Sequence, residues 1–323
     1  MYDRGLGVLE QYGIEAKTTV RGRGALICET DSGLKIIREY WGSPGKMERQ
    51  RQLQLHCREA GFPLVDLVLE NQEGQVVTTG EEGIPYIVRD WDQGRECDTR
   101  SREDIKKSVR AMADLHTVMV LEREDETAPP GLTDECRRHN RELRRIQKFL
   151  QRKKKKNEFE ETLSGSIQGF LEQGEQTADE MESLFSTESE REQEDRVCHG
   201  ECTQHNVLFT GKGIAFTNFE HWNRSPQICD LGQFMRKILE KYQWNLRLGD
   251  EMIKAYDSGK CLSEKELLKL KLYLAYPWKF WKLANFYTNS NKVWISQKNL
   301  EKLEQTIAQA KPWNEFLEHF PGE

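Results

Sequence analysis

Two short stretches of the sequence hold the residue types that phosphoryl transfer needs. The first is Val197-Cys198-His199-Gly200-Glu201-Cys202-Thr203-Gln204-His205-Asn206, and the second is Thr217-Asn218-Phe219-Glu220. Phosphoryl transfer requires a carboxylate near the acceptor hydroxyl, and an amide and a carboxylate that together hold Mg2+ against the nucleotide phosphates. A loop of the form H-x-D-x-x-x-x-N, followed by a hairpin that ends in Asp, supplies all three. His199, Glu201 and Asn206 fill the first pattern, and Asn218 falls where the metal-binding Asp belongs. Glu220, two residues on, shares a strand face with Asn218. Glu201 is therefore the candidate catalytic carboxylate, His199 the support of its loop, and Asn206, Asn218 and Glu220 the candidate metal ligands.

Two departures weaken this chemistry. Glu in place of Asp at 201 adds a methylene and moves the carboxylate by roughly an ångström, a displacement that costs about a hundredfold where geometry is tight. Asn218 is neutral, whereas Mg2+ prefers anionic oxygen. A second anchor lies upstream, where Lys35 follows a hairpin carrying Gly22 and Gly24 and is placed to meet nucleotide phosphates. Glu48, early in the next helix, is its expected carboxylate partner. A rival use of the same loop is a metal site at Cys198, His199 and Cys202. Zinc demands a fixed tetrahedron, and adjacent strand residues point apart, so a buried thiol beside a structural histidine is the favoured reading. His116, behind an apolar helix face, is read as a packed histidine.

These residues must be positioned by two different kinds of structure. Up to residue 90, short apolar stretches alternate with turn signals. Strands are expected near 18–20, at 25–29 and 34–37 around a tight turn at 31–33, at 64–69 and 75–79, and at 84–89. A helix is expected over 47–60, ending at Gly61. From Trp91 onward the pattern is mostly helical. Ser101 with Asp104, and Ser263 with Glu266, read as capping boxes. Residues 136–151 form an amphipathic helix that ends in the basic run Arg152–Lys156. Residues 158–196 are acidic, read as a helix and then an exposed loop over 186–194. A long aromatic helix is expected from Leu267 past Trp294. Its aromatic stripe (Tyr273, Tyr276, Trp278, Phe280, Trp281, Phe286, Tyr287 and Trp294) is read as core, with an acceptor pocket the minority alternative. The fold class is thus α+β: an N-terminal lobe, residues 1–90, with an antiparallel sheet plus one helix, and a larger helical lobe, residues 91–323, carrying the catalytic-type loop 197–222.

The chain has 323 residues, 37% hydrophobic and 32% charged, with a net charge of −6. That balance fits a globular protein of two lobes and argues against a nucleic-acid partner. The start lacks the apolar core of a signal peptide, and no run is long enough to cross a bilayer, so a cytoplasmic protein without membrane insertion is expected. Eight scattered cysteines are expected as reduced thiols. The run Lys153–Lys156 is read as a solvated helix end, with contact to an acidic partner or anionic surface as the alternative.

The chain resembles the CotS family of bacterial spore coat proteins, within the aminoglycoside phosphotransferase and choline kinase group of the kinase-like fold. The resemblance is carried by Tyr12-Gly13 with Val20-Arg21-Gly22, by Leu34-Lys35, and by Asp90-Trp91 with Gly94-Arg95-Glu96-Cys97-Asp98. It continues through Cys198-His199-Gly200 with His205-Asn206, Phe280-Trp281-Lys282-Leu283 and Ser290-Asn291-Lys292. It implies a two-lobed protein-kinase-like fold with a nucleotide in the cleft under Lys35. It also implies a setting in sporulation, in the mother cell and on the coat, with other spore coat proteins as partners. The family pattern His-Gly-Asp and Asp-Phe-Asp or Asp-Phe-Glu reads His-Gly-Glu and Asn-Phe-Glu here. The expectation is a pseudokinase with a structural or assembly role, its ATP and Mg2+ binding weakened. The alternative is an active ATP-dependent phosphotransferase acting on a small-molecule or protein hydroxyl.

Overall fold

The computed structural model describes residues 5–22, 24–122, 131–185, 196–289 and 297–320. Arg23, the loop expected at 186–194, the Ser290-Asn291-Lys292 segment and Trp294 lie outside these residues. The backbone divides into two compact units. One comprises Met1–Glu122, Asp195–Gln227 and Ser258–Lys260, and the other Arg123–Glu194, Ile228–Asp257 and Cys261–Glu323. The loop and hairpin of 197–222 thus group with the N-terminal sheet.

In the first unit, β1 (Ala16–Gly22), β2 (Ala25–Thr30), β3 (Gly33–Glu39), β4 (Thr78–Thr79) and β5 (Pro85–Trp91) form an antiparallel sheet in the order β1-β2-β3-β5-β4. Side chains alternate between its faces. Leu26, Cys28, Ile37, Tyr86 and Val88 pack on one side with Val8 and Leu9 of a 3-10 helix, Leu6–Tyr12. Ile87 packs on the other with Tyr40, Val68, Val76 and Met47 of α1 (Pro44–Glu59). The register sets Ile36 opposite Arg89, Lys35 opposite Asp90 and Arg38 opposite Ile87. This parity decides which charged residues meet the site.

The strand expected at 64–69 is a segment with single bridges only, Val65 to Phe216 and Val68 to Arg89. Leu69 N and Leu67 O bond to the backbone of 88–90 and Leu64 O to Phe216 N, and side chains of α1 take up other backbone groups. Arg51 and Arg58 donate to the carbonyls of Val68 and Val65, while Gln54 donates to Asp66 O and accepts from Val68 N. The strand expected at 75–79 shrinks to Thr78–Thr79. A second sheet joins β6 (Gly94–Glu96), β7 (Val207–Thr210) and β8 (Gly213–Phe216) in that order. Ser101 caps α2 (Arg102–Val118) by accepting from Asp104 N. The other half of the expected box is absent, because the Asp104 carboxylate binds Arg95 and Asp98 N.

The second unit is helical: α3 (Leu132–Arg152), α4 (Glu158–Phe185), α5 (Ile228–Leu239), α6 (Leu246–Asp257), α7 (Glu264–Ala275), α8 (Trp278–Asn289), α9 (Gln297–Ala308) and α10 (Ala310–Glu318). Ser263 and Glu266 form a complete capping box on α7. The single long aromatic helix expected from Leu267 is two helices, broken at Pro277. Pro277 brings no N–H and holds Tyr276 extended, at φ −73 and ψ 135. The stripe is core in part: Tyr273, Tyr276 and Phe280 are buried, and Phe280 stacks on Phe170 at 4.1 Å. Trp278, Trp281 and Tyr287 are half-buried, and Phe286 is exposed. The eight cysteines are free thiols. Among the described residues no helix is long and apolar enough to cross a membrane.

Candidate functional site

Gly200 opens the loop in a backbone conformation that suits glycine, with φ 78, and a Cβ there would lie 2.0 Å from the carbonyl oxygen of His221. His199 next to it is fully buried. Its Nε2 lies 3.0 Å from Thr217 O, and its Nδ1 accepts from Glu201 N at 3.2 Å. That pattern puts the ring proton on Nε2 and ties the loop to the end of β8. The ring is committed to backbone and does not face an acceptor. Asn206 continues the tie: its Nδ2 donates to Glu201 O at 2.9 Å, and its carbonyl accepts from Thr217 N at 3.0 Å. Asn206 Oδ1 has no partner among the described residues.

The Cys198 thiol donates to Asn223 Oδ1 at 3.1 Å, and Cys202 is buried. Both His199 nitrogens are spent on backbone, which leaves the ring no free lone pair to offer a metal beside Cys198 and Cys202. No group of three or more His, Cys, Asp or Glu among the described residues is arranged to hold one.

Asn218 sits in the left-handed region at φ 69, which Asn tolerates better than most residues. Its backbone N–H and both side-chain polar atoms are used. The backbone N–H donates to Asp66 Oδ2 at 2.8 Å, Nδ2 donates to Glu201 Oε2 at 3.0 Å, and Oδ1 accepts from Arg38 Nη1 at 3.3 Å. The same Arg38 Nη1 donates to Glu220 Oε1 at 3.1 Å. Behind Glu220 lies Arg89, with its Nη1 3.7 Å from Glu220 Oε1 and 2.9 Å from Asp66 Oδ2. Arg89 and Asp66 are both buried, and Arg89 Nε has no hydrogen-bond partner among the described residues. Burial pushes the Asp66 carboxyl up to about 6, and Arg89 and the Asn218 N–H oppose it. His221 Nε2 lies 3.6 Å from Glu201 Oε2 at the exposed edge.

Glu201, Asn206, Asn218 and Glu220 thus converge, supported by His199. Lys35 and Glu48 do not join them or each other. Lys35 Nζ is held by Ser32 O at 2.8 Å and Asp90 Oδ1 at 3.2 Å, and Glu48 is exposed on α1. The reason is strand parity: Lys35 and Arg38 are three residues apart on β3, so they occupy opposite faces. Of these two β3 cations it is Arg38 that reaches the site. Two further residues escaped the sequence reading, Asp66 and Arg89. Asp66 is a single charge inside the apolar run Leu64 to Leu69, and Arg89 directly follows the apolar run Pro85 to Val88; a charge so placed is the mark of a buried ion that needs a partner.

The arrangement limits its own metal chemistry. Of the three candidate ligands only Glu220 carries charge, and Arg38 and Arg89 already compensate it. A guanidinium lies within 3.3 Å of both Asn218 Oδ1 and Glu220 Oε1. A divalent ion there would have to displace it, so the donor set is a poor fit for Mg2+.

Comparison with known proteins agrees with this geometry at the level of fold and family. Residues 28–272 match the model of the phosphotransferase enzyme family. Spore coat protein S of Bacillus subtilis is 23% identical over 95% of this chain and 90% of its own. An aminoglycoside phosphotransferase from Alicyclobacillus acidocaldarius superposes with a TM-score of 0.81 over 97% of this chain and 94% of its own, at 18% identity. A spectinomycin phosphotransferase in complex with ADP and spectinomycin gives 0.62 over 96% and 93%, at 14% identity.

Proposed function

The chain belongs to the phosphotransferase enzyme family, and from that premise we propose that it is a kinase-like spore coat protein retired from phosphoryl transfer. Its role is structural or in coat assembly during sporulation. It works from the mother-cell cytoplasm, with other coat proteins as partners and with neither nucleic-acid binding nor membrane insertion. The observation that carries this reading is the internal closure of the site. Asn218 bridges Glu201 and Arg38, the same Arg38 bridges to Glu220, and so the carboxylate and amide that should face a nucleotide face each other. The likeness to spore coat protein S over almost the whole chain supports the setting.

An active phosphotransferase is the second reading. Asn206 Oδ1 is free among the described residues, Glu201 is part-exposed beside it, and this chemistry survives in part when positioning is only partly lost. Structural relatives were solved with ADP, or with AMP-PNP and Ca2+, which makes adenine nucleotide the ligand to test first. Melting of the full chain is followed while ATP is titrated with and without Mg2+. The pseudokinase reading expects no Mg2+-dependent rise and no ATP turnover. Saturation at about a hundredfold over Kd would add roughly 2.7 kcal/mol of stability. A rise of that size that needs the metal, accompanied by turnover, would decide for the active enzyme.

A further inference from the structure

The second unit carries a charge pattern that the phosphotransferase fold does not explain. Between residues 137 and 156 there are eleven Lys and Arg against one Glu, in a chain whose net charge is −6. Most of this stretch is α3. Its apolar side is spent on the core, where Cys136, Leu143, Ile146 and Leu150 are buried. One flank of its basic side is also spent. Arg137 pairs with Asp179 and Glu182 of α4, and Arg144 pairs with Glu175. At the end of the helix, Lys153 Nζ meets Glu160 Oε1 at 2.6 Å.

The other flank is unspent. Arg141, Arg145, Lys148 and Arg152 follow the spacing i, i+4, i+7, i+11, which is one stripe of an α-helix about 16 Å long. All four are exposed, and none has an ion-pair partner among the described residues. Lys154 and Lys155 extend the stripe with the same properties. Phe149 lies half exposed beside it, with Lys153 Nζ 5.8 Å from its ring centroid. Like charges at these spacings repel, so the stripe costs stability while it stays uncompensated.

We propose that this outer face of α3 is a docking surface for an acidic helix of another protein molecule. The chemistry of the partner is read from the flank already occupied. There, arginines seven residues apart (Arg137 and Arg144) grip carboxylates of the neighbouring α4. The open flank repeats that spacing, in Arg141 with Lys148 and in Arg145 with Arg152. A second helix with carboxylates along one side would complete the pattern, and Phe149 would give it one apolar contact. A membrane is disfavoured, because the apolar face an interfacial helix would insert is buried in the core. Nucleic acid is disfavoured by the net negative chain. The surface does not depend on whether the nucleotide site is active.

The test uses the full chain and fluorescein-labelled peptides in anisotropy titrations at about 150 mM salt, where weak surface attraction is screened. One probe is an alanine-based helix of about six turns with glutamates along one face. The second has the same composition with the glutamates spread around the helix. The one-faced peptide should bind more tightly than its isomer. The triple variant Arg141→Glu, Arg145→Glu, Lys148→Glu should weaken it by about tenfold or more, three surface pairs being replaced by three repulsions. The same variant should gain affinity for a one-faced lysine peptide, a result a misfolded protein would not give. Equal binding of the two glutamate isomers, or an unchanged Kd in the variant, overturns the proposal. So does tighter, stripe-dependent binding of a single-stranded oligonucleotide or of phosphatidylglycerol-containing vesicles.

Discussion

Replacing Asn218 by Asp would restore the charge that the phosphotransfer pattern expects, and the geometry says what that should do before any metal is added. Asn218 Nδ2 now donates to Glu201 Oε2 at 3.0 Å. In the variant two carboxylate oxygens face each other across that distance. Two unit charges at 3.0 Å repel by roughly 1.4 kcal/mol in water and about 5.5 kcal/mol at an effective dielectric constant of 20. The Glu201 side chain is 40% exposed, which places the cost toward the lower part of that range. Arg38, 3.3 Å from Asn218 Oδ1, offsets part of the repulsion. The lost hydrogen bond adds about 1 kcal/mol. A net loss of about 2 kcal/mol, or roughly 4 °C in melting temperature for a chain of this size, is expected with EDTA at pH 8. Millimolar Mg2+ should then return the loss in the variant and leave the parent unmoved. Adding Glu201→Asp shortens the opposing side chain and should both ease the repulsion and raise Mg2+–nucleotide binding. Differential scanning fluorimetry across the four proteins, with and without metal, reads all of this. If Asn218→Asp melts like the parent in EDTA and shows no response to Mg2+, alone or with Glu201→Asp, then Asn218 and Glu201 are not the metal end of the site.

Three further outcomes follow from single residues. Gly200→Ala should lower stability by more than about 2 kcal/mol, because its Cβ would meet the His221 carbonyl at 2.0 Å and its φ is 78; urea denaturation checks this, and an unchanged midpoint would mean the loop is free to rebuild. Asp66→Asn leaves the buried Arg89 facing a neutral amide and should cost about 3–5 kcal/mol, whereas the double change Asp66→Asn with Arg89→Met should recover most of it; a double variant as unstable as the single one would rule out the ion pair as the cause. His139 is buried against Trp281 with ring centroids 3.4 Å apart, and burial holds its pKa down to about 3. The folded chain therefore keeps it neutral while the unfolded chain takes a proton below about 6.5, so stability present above that pH is lost as pH falls toward 3. His139→Phe should lose less melting temperature between pH 7 and pH 5 than the parent does; equal losses would refute the assignment.

What the sequence revealed and what it hid divide along one physical line. The loop residues 199–206 and the hairpin end at 218–220 were legible because spacing along one chain carries their geometry. His199, Glu201 and Asn206 come together through local hydrogen bonds among 199, 201, 203 and 206. The strands of β2, β3 and β5 were legible from alternation and turns. Which face of β3 meets the site was not, because period-2 alternation says that Lys35 and Arg38 differ in face without saying which face is which. Only the register against β5 and the packing of α1 decide that. The segment 64–69 reads as a strand by composition, but it shares its backbone groups between β5, β8 and side chains of α1, a non-local choice. Pro277 was a local signal to end a helix, and the aromatic periodicity around it obscured the break.

The charge balance of the site sets what such a loop needs in order to stand without a bound metal. Three carboxylates, those of Glu201, Glu220 and Asp66, lie around Asn218 and Arg89. In a working phosphotransferase, a divalent ion and nucleotide-binding cations are needed to balance such acids, and that balance exists only when ligand is bound. Here two guanidiniums provide it permanently. Arg89 holds Asp66 from below, and Arg38 holds Glu220 and the Asn218 amide from β3. Neutral Asn218 removes the charge that would otherwise have stood 3.0 Å from Glu201. The neutral amide and the two arginines work together, because an Asp at 218 beside these acids would cost stability until a metal is present. A loop balanced in this way is stable when empty, which is what the proposed structural role requires. It also means that reversing one substitution should expose a need for metal before it restores any catalysis.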